Sequence, residues 1–148
     1  MASTYTDNNG IELIGDGEQA GNWGNTTNTN LEIIDRIVNG VGSVSLSGQG
    51  ATSTLATSDG DKTSNGMLKV ITFTSADQAC TITITPNNAQ KLYFVYNNAG
   101  HALTFKQGSS GSTVAIPNGN AKIIFADGGG ASAGAISDFT GLLDVDLK

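Results

Sequence analysis

Cysteine, histidine, proline and charge are all scarce in this chain, and each scarcity closes off a class of function. The single cysteine, Cys80, excludes an intrachain disulfide or a thiolate zinc cluster and fits synthesis in a reducing compartment. The single histidine, His101, sits beside Gly100 in a turn-like stretch, so any multi-histidine metal site or Ser/His or Cys/His pair would depend on that one residue. Charged residues make up 14%, with 7 bases against 13 acids and a net charge of -6. That balance opposes binding to phosphates or anionic headgroups, so neither nucleic acid nor membrane is an expected partner. No apolar run approaches a membrane span, and the opening Met-Ala-Ser-Thr-Tyr-Thr-Asp lacks the basic and apolar regions of a signal peptide. A soluble chain is expected.

What the sequence does hold is Gly, with 20 residues, and many Thr, Ser and Asn, spread over 148 residues that suit one core. A polar loop from Gly15 to Asn30 contains the only tryptophan, Trp23. Asn28 or Asn30 can cap the helix that follows, with Leu31, Ile34 and Ile37 or Val38 as its stripe and Gly40 ending it in a left-handed conformation. A helix of about ten residues is marginal in water and needs a surface to cover that stripe. Residues 1-40 are therefore expected to be a docking segment, with Trp23, Asn28, Asn30, Leu31, Ile34, Ile37 and Val38 at a protein interface.

From Val41 the apolar period becomes two. Val44 and Leu46 alternate with serines, and a loose Gly-Gln-Gly-Ala-Thr-Ser-Thr segment follows. Strands are expected at Met67 to Thr74, Cys80 to Thr85, Lys91 to Asn97, Ala102 to Lys106, Ser112 to Ile116 and Ala121 to Ala126, separated by Gly- and Asn-rich turns. Residues 41-128 thus read as a mainly β module, an antiparallel β-sandwich or barrel with one short N-terminal helix ahead of it. Its expected core comprises Cys80, Ile82 and Ile84, Leu92, Phe94 and Tyr96, Leu103 and Phe105, Val114 and Ile116, and Ile123 and Phe125. Residues 129-148 read as a Gly/Ala/Ser spacer and an apolar tail, Ile136 to Leu147, which needs a partner surface.

Asp59 and Asp61 lack the further oxygen ligands of a calcium loop, and Asp127 to Gly134 lacks the βαβ context of a dinucleotide site. No pair of carboxylates has the setting of a glycosidase, and the row Thr81, Thr83, Thr85 reads as a solvated sheet face. Neither catalytic residues, a metal nor a cofactor is expected.

Residues Gly17-Glu-Gln-Ala-Gly-Asn-Trp-Gly-Asn-Thr-Thr-Asn-Thr-Asn30 with the helix after them resemble the opening of many tailed-bacteriophage virion proteins. The later runs Lys91 to Gly100, Phe105-Lys106, Val114 to Gly119 and Phe125 to Gly128 are similar to β-modules of phage fibre and surface proteins. The resemblance implies a non-enzymatic virion structural protein, made in the host cytoplasm and resident in the virion. Lacking a repeat shaft or tip domain, the chain fits a small capsid decoration (cement) protein. Its expected partners are copies of itself, as a homo-oligomer such as a trimer, and a capsid or tail protein. The alternative is a tail or head fibre, or an adhesin whose loops at Asn97 to Gly100 and Gly108 to Gly111 bind a host surface glycan.

Overall fold

The computed structural model describes residues 2–142. A small hairpin, β1 (Thr4–Tyr5) and β2 (Glu12–Leu13), precedes helix α1 (Trp23–Asn39). Nine strands follow: β3 (Val41–Ser45), β4 (Thr52–Ala56), β5 (Val70–Thr74), β6 (Cys80–Thr85), β7 (Gln90–Asn98), β8 (Leu103–Lys106), β9 (Val114–Ile116), β10 (Ala121–Asp127) and β11 (Ile136–Asp138). A one-turn helix, α2 (Gly130–Ala133), precedes the last of them.

The antiparallel expectation is overturned by the pairing. Strand order is β11-β10-β7-β5-β3 in one sheet and β4-β6-β8-β9 in the other, and β3–β5, β5–β7, β4–β6 and β6–β8 are all parallel. From β3 to β8 successive strands do not fold back as hairpins; the chain arcs from one sheet to the other and returns, so every second strand there runs in the same direction. The arcs are tied to one another: Gly48 N–H donates to the Asp77 carboxylate at 2.6 Å, and Ala76 N–H to Ala99 O at 2.9 Å. Val41 lies beside Val70 and Val70 beside Phe94, while Thr52 lies beside Thr81 and Thr81 beside Thr104. This register describes a three-coil, two-sided parallel solenoid, each coil stacked on the last. Antiparallel pairing is confined to the opening β1–β2 hairpin and to the end of the chain, through β9, β10 and β11.

The two sheets bury their inner faces against each other. Ile71, Phe73, Tyr93 and Val95 of one meet Leu55, Ile82, Ile84, Leu103 and Phe105 of the other, and the Phe73 and Phe105 rings meet edge-on at 5.5 Å. Of the expected core, the β6, β8 and β9 residues are buried. In β7 the expected face is wrong by one residue: Lys91, Tyr93, Val95 and Asn97 point inward, and Leu92, Phe94 and Tyr96 outward. In β10 likewise Ile124 and Ala126 are buried, with Ile123 and Phe125 only half-buried.

The inward polar ends of β7 are satisfied. Lys91 Nζ donates to Asn9 Oδ1 at 2.7 Å. Asn97 Nδ2 donates to His101 O and Ile116 O, and its Oδ1 accepts from Ala99 N–H. Strand β4 also falls where a loose segment is expected, because Leu55 is its one large apolar residue.

Helix α1 is longer than expected, starting at Trp23 after Asn22, which makes no side-chain cap bond. Asn28 and Asn30 lie inside it, not at its cap. The Thr/Asn run is a poor helix former on its own. Here its polar side chains have partners: Thr26 Oγ1 donates to Gln19 Oε1, Thr27 Oγ1 to Trp23 O, and Asn30 to Glu12 O. Nor does Gly40 adopt a left-handed conformation; at φ -63°, ψ 123° it is extended and leads straight into β3. A side chain there would strike Arg36 O, so close approach and not backbone sign demands glycine. The apolar tail from Leu143 onward lies outside the described residues.

Candidate interaction surface

Helix α1 presents two apolar stripes about a quarter-turn apart. The inner one is anchored by Ile33, which is fully buried and absent from the expected site, with Ile37 half-buried beside it. Arg36 reinforces the seating by donating to Thr63 O and Ser64 O at 3.3 Å, and Lys62 pairs with Glu32. The outer stripe carries Leu31, Ile34 and Val38, which are 58%, 43% and 57% exposed, with Trp23 at the helix start 62% exposed. Residues 31, 34 and 38 follow the four-three spacing of a helix seam.

The expected interface residues are thus not one surface. Trp23, Leu31, Ile34 and Val38 are brought together on the solvent side, and Asn28 is exposed on the helix. Ile37 belongs to the inner stripe. Asn30 is internal hardware: its Oδ1 accepts from Glu12 N–H at 3.0 Å and its Nδ2 donates to Glu12 O at 2.9 Å, which pins the hairpin to the helix.

Sequence reasoning missed a second apolar surface, the outer face of the five-stranded sheet. Val41, Val70, Phe94 and Ile123 stand side by side on four adjacent strands. Leu92 neighbours Phe125, whose ring stacks on Phe139 at 5.7 Å. Phe94 and Tyr96 are about two-fifths exposed and Val41 is 71% exposed. A shallow cavity of about 250 Å³ lies between Val70, Phe94, Tyr96, Ile123 and Thr140. The signal lay in β7 itself, where large apolar residues occupy both phases of the alternation. Val41 follows the helix after Gly40 and lines one surface pocket with Leu31, so the outer stripe and this sheet face adjoin there. The outer face of the other sheet differs in kind: Thr52, Thr81 and Thr104 form one row and Thr54, Thr83 and Lys106 the next, a hydroxyl-rich surface suited to water.

The loops considered for ligand binding are engaged within the fold. Asn97 is fully buried, and Gly108, Ser109 and Ser110 donate their N–H groups to Gly134 O, Ala131 O and Ser132 O. Asp61 is occupied by Thr63 and Ser64, whose hydrogen bonds hold its carboxyl below the usual range. Asp127 accepts from Gly129 and Ala135 N–H, again lowering its pKa. Among the described residues no cluster of His, Cys, Asp and Glu has a metal-binding arrangement, and no helix is long and apolar enough to cross a membrane. Cys80 is buried in the core, and burial pushes its thiol pKa up.

No family model, curated protein or solved structure matches this chain. The helix stripe and the sheet's outer face present apolar side chains to solvent on a chain of low charge, the latter backed by a mixed parallel and antiparallel sheet.

Proposed function

We propose that the chain is a non-enzymatic structural protein of a bacteriophage virion, a small capsid decoration protein acting through protein–protein contacts. The observation that supports this most is the exposed apolar surface running from Trp23, Leu31, Ile34 and Val38 through Val41 to Phe94 and Tyr96. Monomeric proteins rarely leave so much large apolar side chain in one area, and rigid sheet backing keeps it from collapsing inward. The similarity of the Gly17 to Asn30 segment to openings of virion proteins gives the surface its setting. In this reading the apolar side lies against another virion protein, copies of the chain associate with one another, and the threonine face meets solvent.

Labelling the chain in intact particles tests the proposal. Copy numbers comparable to the capsid protein, lost when Ile34 is replaced by Asp, are the expected result. A few copies confined to a tail or fibre would replace decoration by the fibre reading, and absence from particles would end both.

A further inference from the structure

The two ends of the solenoid are finished differently. At the far end the chain seals itself: besides the Gly108, Ser109 and Ser110 bonds to residues 131–134, Ile136 N–H donates to Ser112 O at 2.8 Å. At the near end, β3 and β4 are the outermost strands of their sheets, and nothing among the described residues pairs with their outer edges. Val70 N–H bonds to Gly40 O, and Leu46 N–H to Thr74 O. Alternation along β3 therefore turns the N–H and C=O of Val41, Ser43 and Ser45 away from β5. On β4, Thr81 N–H bonds to Ala51 O and Thr57 N–H to Thr85 O, so Thr52 and Thr54 likewise face outward.

Solitary proteins blunt such edges with charge, proline or bulges. This one does none of these. From Ile37 to Ser58 there is no charged residue and no proline, although the chain as a whole carries -6. Helix α1 is seated on the loop around Arg36's partners Thr63 and Ser64 and reaches only the ends of these edges, with Leu31 and Asp35 beside Val41 and the turn at Gly66 beside Ala56 O; Ser43, Ser45, Thr52 and Thr54 stay exposed.

We infer that the open first coil pairs with the open first coil of a second copy, β3 against β3 and β4 against β4, both antiparallel about one two-fold axis. The inference deepens the self-association in the functional reading above and rests on it only for its biological setting. An occupant must offer two strand edges one sheet-to-sheet spacing apart, roughly 10 Å, and this chain's own end is such an object. Five outward residues on each copy supply about ten main-chain hydrogen bonds, the number carried by a standard interface. Like strands meeting also place apolar sheet face beside apolar sheet face and threonine rows beside threonine rows; crossing β3 with β4 would mismatch both.

The test uses the full chain and two edge variants, Ser43→Pro and Ser43→Lys/Thr54→Lys. Proline at Ser43 removes an outward N–H and the exposed Ser43 Oγ–Thr72 O bond but no main-chain bond to β5, so the intramolecular ladder is retained. Sedimentation equilibrium should give twice the 15.1 kDa chain mass for the wild type and a single chain mass for both variants, with unchanged circular dichroism. Amide exchange at Ser43, Ser45 and Thr54 should be slow in the wild type and fast in the double lysine variant. A monomeric wild type, a three-chain assembly, or a dimer indifferent to both variants overturns the inference. Virion incorporation of the edge variants is scored separately: its survival alongside lost dimerisation leaves the decoration reading intact, and Ile34→Asp particles test that reading without touching the edges.

Discussion

Helix α1 should split into residues that hold the fold and residues that hold a partner, and neighbouring isoleucines give the cleanest contrast. Ile33 is completely buried and Ile34 is 43% exposed, one position apart on the same helix. Truncating Ile33 to Ala forfeits a full side-chain transfer of about 1.5–3 kcal/mol and leaves a cavity where the helix meets the domain. Alanine's better helix propensity returns about 0.4 kcal/mol. A net loss of about 3 kcal/mol follows, which for a chain of this size lowers Tm by roughly 6–12 °C. Ile34→Ala should cost under about 1 kcal/mol, and Trp23→Ala, at 62% exposure, within about 0.5 kcal/mol. Thermal and urea unfolding of the three variants, at a concentration where the wild type is unassociated, decides the matter. Equal destabilisation by Ile33→Ala and Ile34→Ala would refute the two-stripe assignment. Loss of the folded sheet in Trp23→Ala would show that the Trp23 segment is core and not a docking element.

Three other perturbations follow from buried polar groups and tight backbone. Asn97→Ala removes a fully buried amide that bonds three backbone groups, and should cost roughly 3 kcal/mol by chemical denaturation. Lys91 is buried, and burial with the nearby Lys69 charge lowers its pKa from 10.5 to about 8. The unfolded chain then binds more protons than the folded one between pH 8 and 10.5, so this residue's penalty of about 3 kcal/mol is present below pH 8 and relieved as pH rises through that window. Lys91→Met should therefore stabilise the protein more at pH 7 than at pH 10; an equal effect at both pH values removes the argument. Gly111→Ala should loosen the sealed end, because a Cβ there would overlap Gly134 O, and faster amide exchange at Ser109 and Ser110 would report it.

The strands from Cys80 to Asp127 were legible because Thr/Ile alternation and Gly-rich turns leave few alternatives. Their partners were not. An arc between sheets and a hairpin within one use the same Gly, Asn and Ser residues, and the side chains that stack from coil to coil, such as Val41, Val70 and Phe94, share no repeat to betray the register. The phase of β7 misled for a specific reason. Lys91 and Asn97 bracket the buried set Tyr93 and Val95, so polarity favours the opposite face unless one knows that Asn9, His101, Ile116 and Ala99 supply their hydrogen bonds. For the interface, the exposed stripe at Leu31, Ile34 and Val38 could be read from helical spacing. Whether Asn30 faced a partner or Glu12 depended on the hairpin folding back, a contact 18 residues distant.

The error in β7 and the proposed pairing at β3 combine into one geometric consequence. A two-fold axis normal to the sheets keeps the two five-stranded sheets side by side, so both outer faces, each with Phe94 and Tyr96, look the same way. The outer α1 stripe of each copy adjoins its own face at Val41, and both threonine faces look the opposite way. Self-pairing therefore leaves the adhesive surface uncovered and doubles it in one plane. Two weak apolar contacts held on one rigid frame bind a shared support with an effective concentration that separate monomers lack. A dimer made through the apolar faces themselves would instead hide them, leaving a particle nothing to hold. In the proposed reading, edge pairing and surface docking would be complementary uses of different atoms: backbone N–H and C=O for the copy, and side chains for the support.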